Sequence, residues 1–306
     1  MEILLHAIVV ETLMRDGAIC GVVVEHKGGR EAILARRVVD ASGDGDVAAL
    51  AGAPYEKSEV MQAPTMVFNM GGVDVARAMA FPEREIRRLL IETQQSGEFA
   101  FPRVSGSFSP LPPAGKVHVN MSRVAGVDGT DPWSLSAGTL EGHRQIGLFA
   151  TFLKKYVPGF ESAHVDAVAA QLGVRETRRI MGEHVLTRED VLGARHFEDA
   201  ICRSSWPIEE HTPNAETVRL HLPGDEYYQV PFGCLLPLEV EGLLLSGRCV
   251  SATHDGQASV RVMGPGMAMG QAAGSAAALS PAQGVLPRAL PAETLRSELL
   301  RQDALI

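Results

Sequence analysis

Cysteine is scarce and scattered in this chain. Cys20, Cys202, Cys234 and Cys249 form no C-x-x-C pair and none of the runs that hold an iron–sulfur cluster or a zinc knuckle. With no basic leader before Ile3, the pattern predicts reduced thiols in a cytoplasmic protein. Positive charge is short too: 28 Lys and Arg stand against 37 Asp and Glu, a formal net charge of −9. A general nucleic-acid binder carries a basic stripe, whereas the clusters at Arg84–Arg88 and Arg175–Arg179 read as faces of helices or strands. The most apolar late stretch, Met267–Leu279, is rich in alanine and glycine and too short to cross a bilayer, so no membrane partner is expected. No G-x-S-x-G elbow is present, and no nucleophile–base pair suggests a hydrolase. Nor does any G-x-G-x-x-G follow a strand and open a helix; Gly28-Gly29 lies in a hairpin turn, the wrong context.

What the chain does have is glycine, 31 residues of it, gathered where turns or close backbone approaches are expected. Ile3–Val10, Ala18–His26 and Glu31–Asp40 read as strands joined across Arg15-Asp16-Gly17 and Lys27-Gly28-Gly29. Val38-Val39 runs into Asp40, the pattern of a buried strand that delivers its end to a ligand. Asp44 or Asp46 is placed to cap a short helix through Ala51. Further on, Pro64–Met70 and Lys116–Met121 read as strands, and Glu83–Gln95, Ser136–Tyr156 and Ala163–Leu172 as helices. Phe101–Gly115 reads as a loop. This mixture predicts an α+β substrate or cap domain inserted into the first. Strands at Thr217–Leu222 and Tyr227–Val230 and a buried Leu243-Leu244-Leu245 precede a helix from about Gly266 to Leu279, ended by Pro281. The expected division is 1–55, 56–235 and 236–306.

Two segments carry candidate chemistry. In Asp40-Ala41-Ser42-Gly43-Asp44-Gly45-Asp46, two glycines one residue apart let the backbone approach a ligand; a tight strand–helix turn held by Asx-type bonds is the alternative. In Gly247–Ala278, small residues at Gly266, Gly270, Ala273, Gly274 and Ala277 leave one helical face nearly bare, suited to a ligand or to flush packing. The N-terminus of that helix offers free N–H groups to negative charge. His254, beside Asp255 in the loop expected between the return strand and the final helix, is the candidate for proton handling or for binding an anionic substrate, against a surface turn histidine. Arg175, Arg178 and Arg261 are candidates to clamp a carboxylate, with a structural Arg175–Glu176 ion pair as the alternative for the first. The remaining histidines show no metal spacing, and no metal site is expected.

These segments resemble the FAD-dependent oxidoreductases related to the glutathione-reductase-like and fumarate-reductase-like flavoproteins. ASGDGDVAALAG looks like that family's Ala-Thr-Gly-Asp segment after its β-meander. Leu243–Ala278 looks like its C-terminal return to the FAD domain, and Leu172–Ile180 with Leu186–Val191 forms a third match between them. The resemblance implies FAD as cofactor, with Ala41, Ser42 and Gly43 on the adenosine side, and Gly247 and Arg248 toward the pyrophosphate and ribityl chain. Gly266, Met267 and Ala268 would lie near the isoalloxazine. The fold it implies is α/β: an incomplete two-dinucleotide-type FAD-binding fold, a C-terminal portion without the N-terminal fingerprint, carrying an inserted α+β cap. The implied function is hydride transfer between flavin N5 and a small organic substrate. The alternative is a non-catalytic truncated paralogue or assembly subunit that pairs with an N-terminal FAD-domain partner chain.

Overall fold

The structure, a computed structural model, describes residues 2–212 and 216–306. It divides into two compact units. The first comprises residues 1–58, 176–210 and 218–306, and the second residues 59–175 and 211–217. The chain therefore returns to the first unit at Glu176, well before the expected boundary at 235.

The first unit opens with an antiparallel meander of strands Ile8–Arg15, Ala18–His26 and Gly29–Leu34. Asp16 and Gly17 both have positive φ (51° and 78°), the geometry of a two-residue hairpin turn whose twist matches its strands. The first strand lies later than the expected Ile3–Val10, and the expected third strand is two. At Arg36-Arg37 the run breaks, because Arg37 turns away to donate to Ser280 Oγ (3.2 Å) and Val285 O (2.6 Å). Val38–Asp40 then leaves the meander and pairs in parallel with Leu243–Leu245, Val38 opposite Leu243 and Asp40 opposite Leu245.

Helix Met263–Ala282 buries Pro265, Met269, Ala272, Ala273, Ala276 and Ser280, a 3–4 spacing that defines one inward stripe. This stripe joins a core with Val230, Leu244 and Leu295. Pro281, expected to end the helix, sits in its last turn, where it forfeits a single bond to the carbonyl four residues back and the helix stops one residue later. Among the described residues, no helix is long and apolar enough to cross a membrane.

The second unit is built on a four-stranded antiparallel sheet in the order Ser107–Pro110, Val117–Asn120, Phe68–Gly71, His164–Val168. Helix Pro132–Tyr156 presents Ile146, Phe149, Phe152 and Leu153 to the core, and Phe99, Phe101, Phe149 and Phe152 stack or meet edge to face with centroids 5.1–6.0 Å apart. Two expectations fail here. Ala163–Leu172 is not a helix but contains the edge strand His164–Val168, because hydrogen bonding to Phe68–Gly71 outweighs an ambiguous apolar pattern. The expected loop Phe101–Gly115 contains the other edge strand, and Pro110 is tolerated at its end because an edge residue owes no further N–H to the ladder.

Candidate functional site

The first unit concentrates its polar chemistry in three adjoining places. The first lies at the carboxyl ends of the parallel pair, where open α/β sheets bind ligands. Buried Asp40 closes the turn that follows: its Oδ1 accepts from the Ser42 N–H (3.0 Å) and hydroxyl (2.7 Å), and its Oδ2 accepts from Ala48 N–H (2.9 Å). Ser42 Oγ in turn accepts from Asp46 N–H (3.0 Å), so Ser42 and Asp40 take the first N–H groups of the short helix Asp46–Leu50, whose N-cap is Gly45 and not the expected Asp44 or Asp46. Ser246 N–H donates to Asp40 O (2.9 Å), which brings Ala41–Gly43 beside Gly247 and Arg248.

Gly43, at φ 81°, holds a conformation that strains any side chain, and a Cβ there would displace the Arg248 guanidinium, whose Nη2 would lie 2.5 Å away. Arg248 Nη1 donates to Asp44 Oδ1 (3.0 Å), which also accepts from Thr177 Oγ1 (2.8 Å). Arg178 serves the same turn, donating to Asp44 O (3.0 Å) and Asp46 Oδ1 (2.8 Å). At Gly247 (φ 86°) a Cβ would meet nothing within 4 Å, so the backbone there is open to an incoming group.

The second place is the start of helix Met263–Ala282. Its N-cap, Val262, supplies no side-chain hydrogen bond, and Gly264 and Gly266 have open space where a Cβ would stand. Ser246 Oγ reaches Gly266 O at 3.5 Å and ties this turn to the parallel pair. Gly264, Met267 and Ala268 line a cavity of about 1020 Å³, together with Arg203, Trp206 and Arg261. Arg261 Nη2 donates to Glu209 O (3.1 Å), while its Nε is buried without a partner. Burial pushes the guanidinium down to about 10, which still leaves it charged at neutral pH.

The third place surrounds His254, which opens helix His254–Val260 rather than lying in a loop, with Thr253 as N-cap. Its Nδ1 lies 2.9 Å from Glu176 Oε1 and 3.1 Å from Ser58 Oγ, and its Nε2 lies 3.5 Å from Glu210 Oε1. Glu176 is fully buried and also accepts from Arg179 Nη1 (2.5 Å) and Ser58 Oγ (2.7 Å). The hydrogen bond to Glu176 raises the pKa of His254 against the opposing effect of burial. Asp255 pairs with Arg188 (3.1 Å), so the carboxylates that serve His254 are Glu176 and Glu210. Glu210, His254 and Asp255 gather their ligand atoms within 4.8 Å of one another, but Arg188 and Glu176 already engage two of the three.

Of the four polar candidates, His254 and Arg261 thus stand at opposite ends of one short helix, and Arg178 braces the glycine turn. Arg175 belongs to the second unit, where its Nη1 donates to Ala63 O (2.5 Å). Sequence reasoning missed Arg179, Ser58 and Glu210, and set Glu176 beside Arg175, whereas it pairs with Arg179 and His254. The three-residue spacing of Glu176 and Arg179 was a visible signal; Ser58, 118 residues from Glu176, gave none. The buried thiols are not nucleophiles: burial pushes Cys202 and Cys249 up to about 12 and Cys234 well above its ordinary value.

A family model described as FAD dependent oxidoreductase matches residues 1–299. This corrects two expectations, the restriction of the likeness to a C-terminal portion without the N-terminal fingerprint and the incomplete two-dinucleotide-type fold. The α/β FAD-oxidoreductase likeness extends over nearly the whole of this chain. One glycine motif is a local signal, and it weighed too heavily against a pattern of strands, turns and small-residue helices spread over the sequence.

No curated protein matches the chain. Among solved structures, a geranylgeranyl bacteriochlorophyll reductase-like protein from Thermoplasma acidophilum is similar at 10% identity over 97% of this chain and 54% of its own, with a TM-score of 0.42. L-proline dehydrogenase from P. horikoshii is similar at 12% identity over 98% and 55%, TM-score 0.35. A p-nitrophenol 4-monooxygenase from Pseudomonas putida DLL-E4 is similar at 14% identity over 58% and 38%, TM-score 0.34. The chain spans 38–55% of the length of these three proteins, and no substrate is read from them. By the match over residues 1–299, the chain belongs to the FAD-dependent oxidoreductase family, and FAD is its cofactor.

Proposed function

We propose that the chain binds FAD across the carboxyl ends of its parallel strands and exchanges a hydride between flavin N5 and a small organic substrate. The observation that carries this reading is the open backbone at Gly247, Gly264 and Gly266, beside an uncapped helix N-terminus and a cavity of about 1020 Å³. A flat, anionic cofactor fits such a place, because close approach needs missing Cβ atoms and the charge needs unsatisfied N–H groups. Ala41, Ser42 and Gly43 would hold the adenosine side, Gly247 and Arg248 the pyrophosphate and ribityl chain, and Gly266, Met267 and Ala268 the ring. When bound, FAD supplies the redox chemistry, and the protein supplies orientation and polarity.

The chain's own residues do the remaining work. Arg261, charged and partly desolvated on the cavity wall, anchors an anionic group of the substrate. His254 holds or releases a proton at Nε2. The two ends of helix His254–Val260 lie ~10 Å apart at the usual rise per residue, the scale of a small organic molecule.

The test is to purify the chain without added flavin, record its visible spectrum, and identify any extracted cofactor. FAD near one per chain supports the reading. A colourless protein that also rejects added FAD overturns binding by this chain alone. Gain of FAD affinity on mixing with a fingerprint-bearing partner chain would then favour the assembly-subunit alternative.

A further inference from the structure

We propose that Glu176 is a positioning residue for His254: it fixes the imidazole with its proton on Nδ1 and leaves Nε2 as the nitrogen that exchanges protons. The inference rests on the reading of His254 as the proton-handling group. Three donors converge on Glu176 Oε1: Arg179 Nη1 at 2.5 Å, Ser58 Oγ at 2.7 Å and His254 Nδ1 at 2.9 Å. The carboxylate itself is fully buried, and Arg179 is nearly so, with 6% of its side chain exposed. A buried carboxylate stays ionised only where such partners replace water. Arg179 is locked in turn by its Nε bond to Ala252 O (3.1 Å) and by Glu56 (3.5 Å), so the acceptor is held on a rigid frame.

The tautomer follows from counting hydrogens. Ser58 has one hydroxyl hydrogen and gives it to Glu176, while its oxygen accepts from Arg179 Nη1 at 2.8 Å. Toward His254, Ser58 is therefore an acceptor. Both neighbours of Nδ1, Glu176 Oε1 at 2.9 Å and Ser58 Oγ at 3.1 Å, are acceptors, and Nδ1 must carry hydrogen in the neutral and the charged ring alike. Nε2 faces Glu210 at 3.5 Å, beyond a normal hydrogen bond, and the side chain keeps 26% of its surface exposed. That nitrogen is free to trade a proton.

The charges around the ring agree. Glu176 and Glu210 favour the protonated imidazole, Arg179 opposes it, and Asp255 is paired with Arg188.

Histidine ring ¹⁵N shifts in the full chain, with His254 assigned by its loss in His254→Gln, read the tautomer and titration directly. In the unsubstituted chain, Nδ1 should stay in the protonated range at every pH and Nε2 alone should titrate. In Glu176→Gln, the proton affinity of His254 should fall about tenfold. Because Glu176→Gln strands Arg179 and can unfold the unit, Ser58→Ala provides a second arm: Glu176 remains, and the Nδ1–H tautomer should persist. A neutral ring protonated on Nε2 in the unsubstituted chain, a tautomer switch in Ser58→Ala, or an unchanged titration in folded Glu176→Gln would each overturn the proposal. Turnover separates the two ideas. If His254→Gln leaves the kcat pH profile intact while the ¹⁵N pattern is as expected, the positioning stands and the catalytic reading of His254 fails. If His254→Gln abolishes the pH-dependent limb but Glu176→Gln does not move it, the reverse holds.

Discussion

The two units of this protein are stabilised by opposite means. The second unit packs Phe99 and Phe101 against Phe149 and Phe152 of its long helix, and its buried polar groups are mostly neutral, Gln62, Thr65, Ser122 and Gln145 among them, with Arg123 as the charged exception. The first unit buries Asp40, Glu176, Arg179, Asp190 and Glu209 beside a helix of glycine and alanine. Aromatic packing yields a rigid body that tolerates little change of shape. Buried charge is costly unless every group is partnered, and where a chain sustains that cost, chemistry is the first explanation to seek. The first unit is accordingly where candidate cofactor contacts, a large cavity and a clamped histidine lie together.

The largest expected effect breaks this comparison at its root. Arg179→Ala should cost about 3–5 kcal/mol because it takes from the buried Glu176 carboxylate the guanidinium that balances its charge. Phe152→Ala should cost about 3–5 kcal/mol through a cavity in the aromatic core. Similar totals hide different physics, which a second change exposes. Glu176→Leu combined with Arg179→Met should recover most of the stability lost in either single variant, because both charges go together. No second truncation near Phe152 should recover anything. The two tryptophans provide the readout, since Trp206 lies in the first unit and Trp133 in the second. Urea unfolding followed in Trp133→Phe and Trp206→Phe backgrounds reads each unit separately. If the double variant is as unstable as the sum of its singles, the charged cluster is held by packing after all.

A smaller effect comes from close backbone approach. At Gly256 a Cβ would lie 2.1 Å from Leu186 O, and the obstacle is backbone, which cannot swing aside. Gly256→Ala should therefore cost about 1–3 kcal/mol in the Trp206 signal. It should also disturb the ¹⁵N titration of His254, two residues away on the same helix. Gly142→Ala in the second unit meets the Met66 side chain at 2.7 Å and should move only the Trp133 signal. A Gly256→Ala protein with an unchanged His254 titration would show that the helix seat does not place the histidine.

Smaller still is the contribution of a single partly exposed imidazole. The folded pKa of His254 is raised by its hydrogen bond to Glu176. A group whose folded pKa lies above its unfolded value binds its proton more tightly in the folded state. Its contribution is therefore complete below histidine's ordinary value and is lost as pH rises through the elevated folded value. Unfolding midpoints of the unsubstituted chain should fall across that window relative to His254→Gln. Parallel curves for the two proteins would mean that the imidazole is not stabilised as a cation.

Much of the first unit's backbone was legible in the sequence because glycine and asparagine-like turn residues report local geometry. Asp16-Gly17 announced its hairpin, and Val38–Asp40 running into Ser42-Gly43 announced a strand delivered to a turn. Small residues from Gly266 to Ala277 announced a helix, but its inward stripe runs through Met269, Ala272 and Ala276, and of the five expected face positions only Ala273 is buried. Edge strands were less legible. His164–Val168 carries valines that suit a helix or a strand, and only its pairing with Phe68–Gly71 decides. The side-chain cluster was the least legible. Ser58, Glu176, Glu210 and His254 come from four separated segments, and no local pattern encodes a meeting that only the fold creates. His254 stands out in the sequence because it follows the glycine-rich return strand, but the adjacent Asp255 binds Arg188 and is not its partner.

The smallest expected change in stability is the one that best separates structural glycine from functional glycine. Gly266 and Gly274 lie on the same helix, and a Cβ at either would meet nothing within 4 Å. Alanine removes the entropic cost of glycine in a helix, so Gly266→Ala and Gly274→Ala should each stabilise the FAD-free chain by about 0.5–1 kcal/mol. Their effects on FAD binding should diverge. If the open space at Gly266 is where the flavin ring approaches the helix N-terminus, its new methyl group stands in the ligand's place, and affinity for FAD falls while stability rises. Gly274, two turns further along, should leave affinity unchanged. Stability and binding moving in opposite directions at one position and not at the other cannot arise from packing alone, because packing would give both alanines the same sign. Equal FAD affinity in the two variants would move the ring away from the N-terminus of this helix.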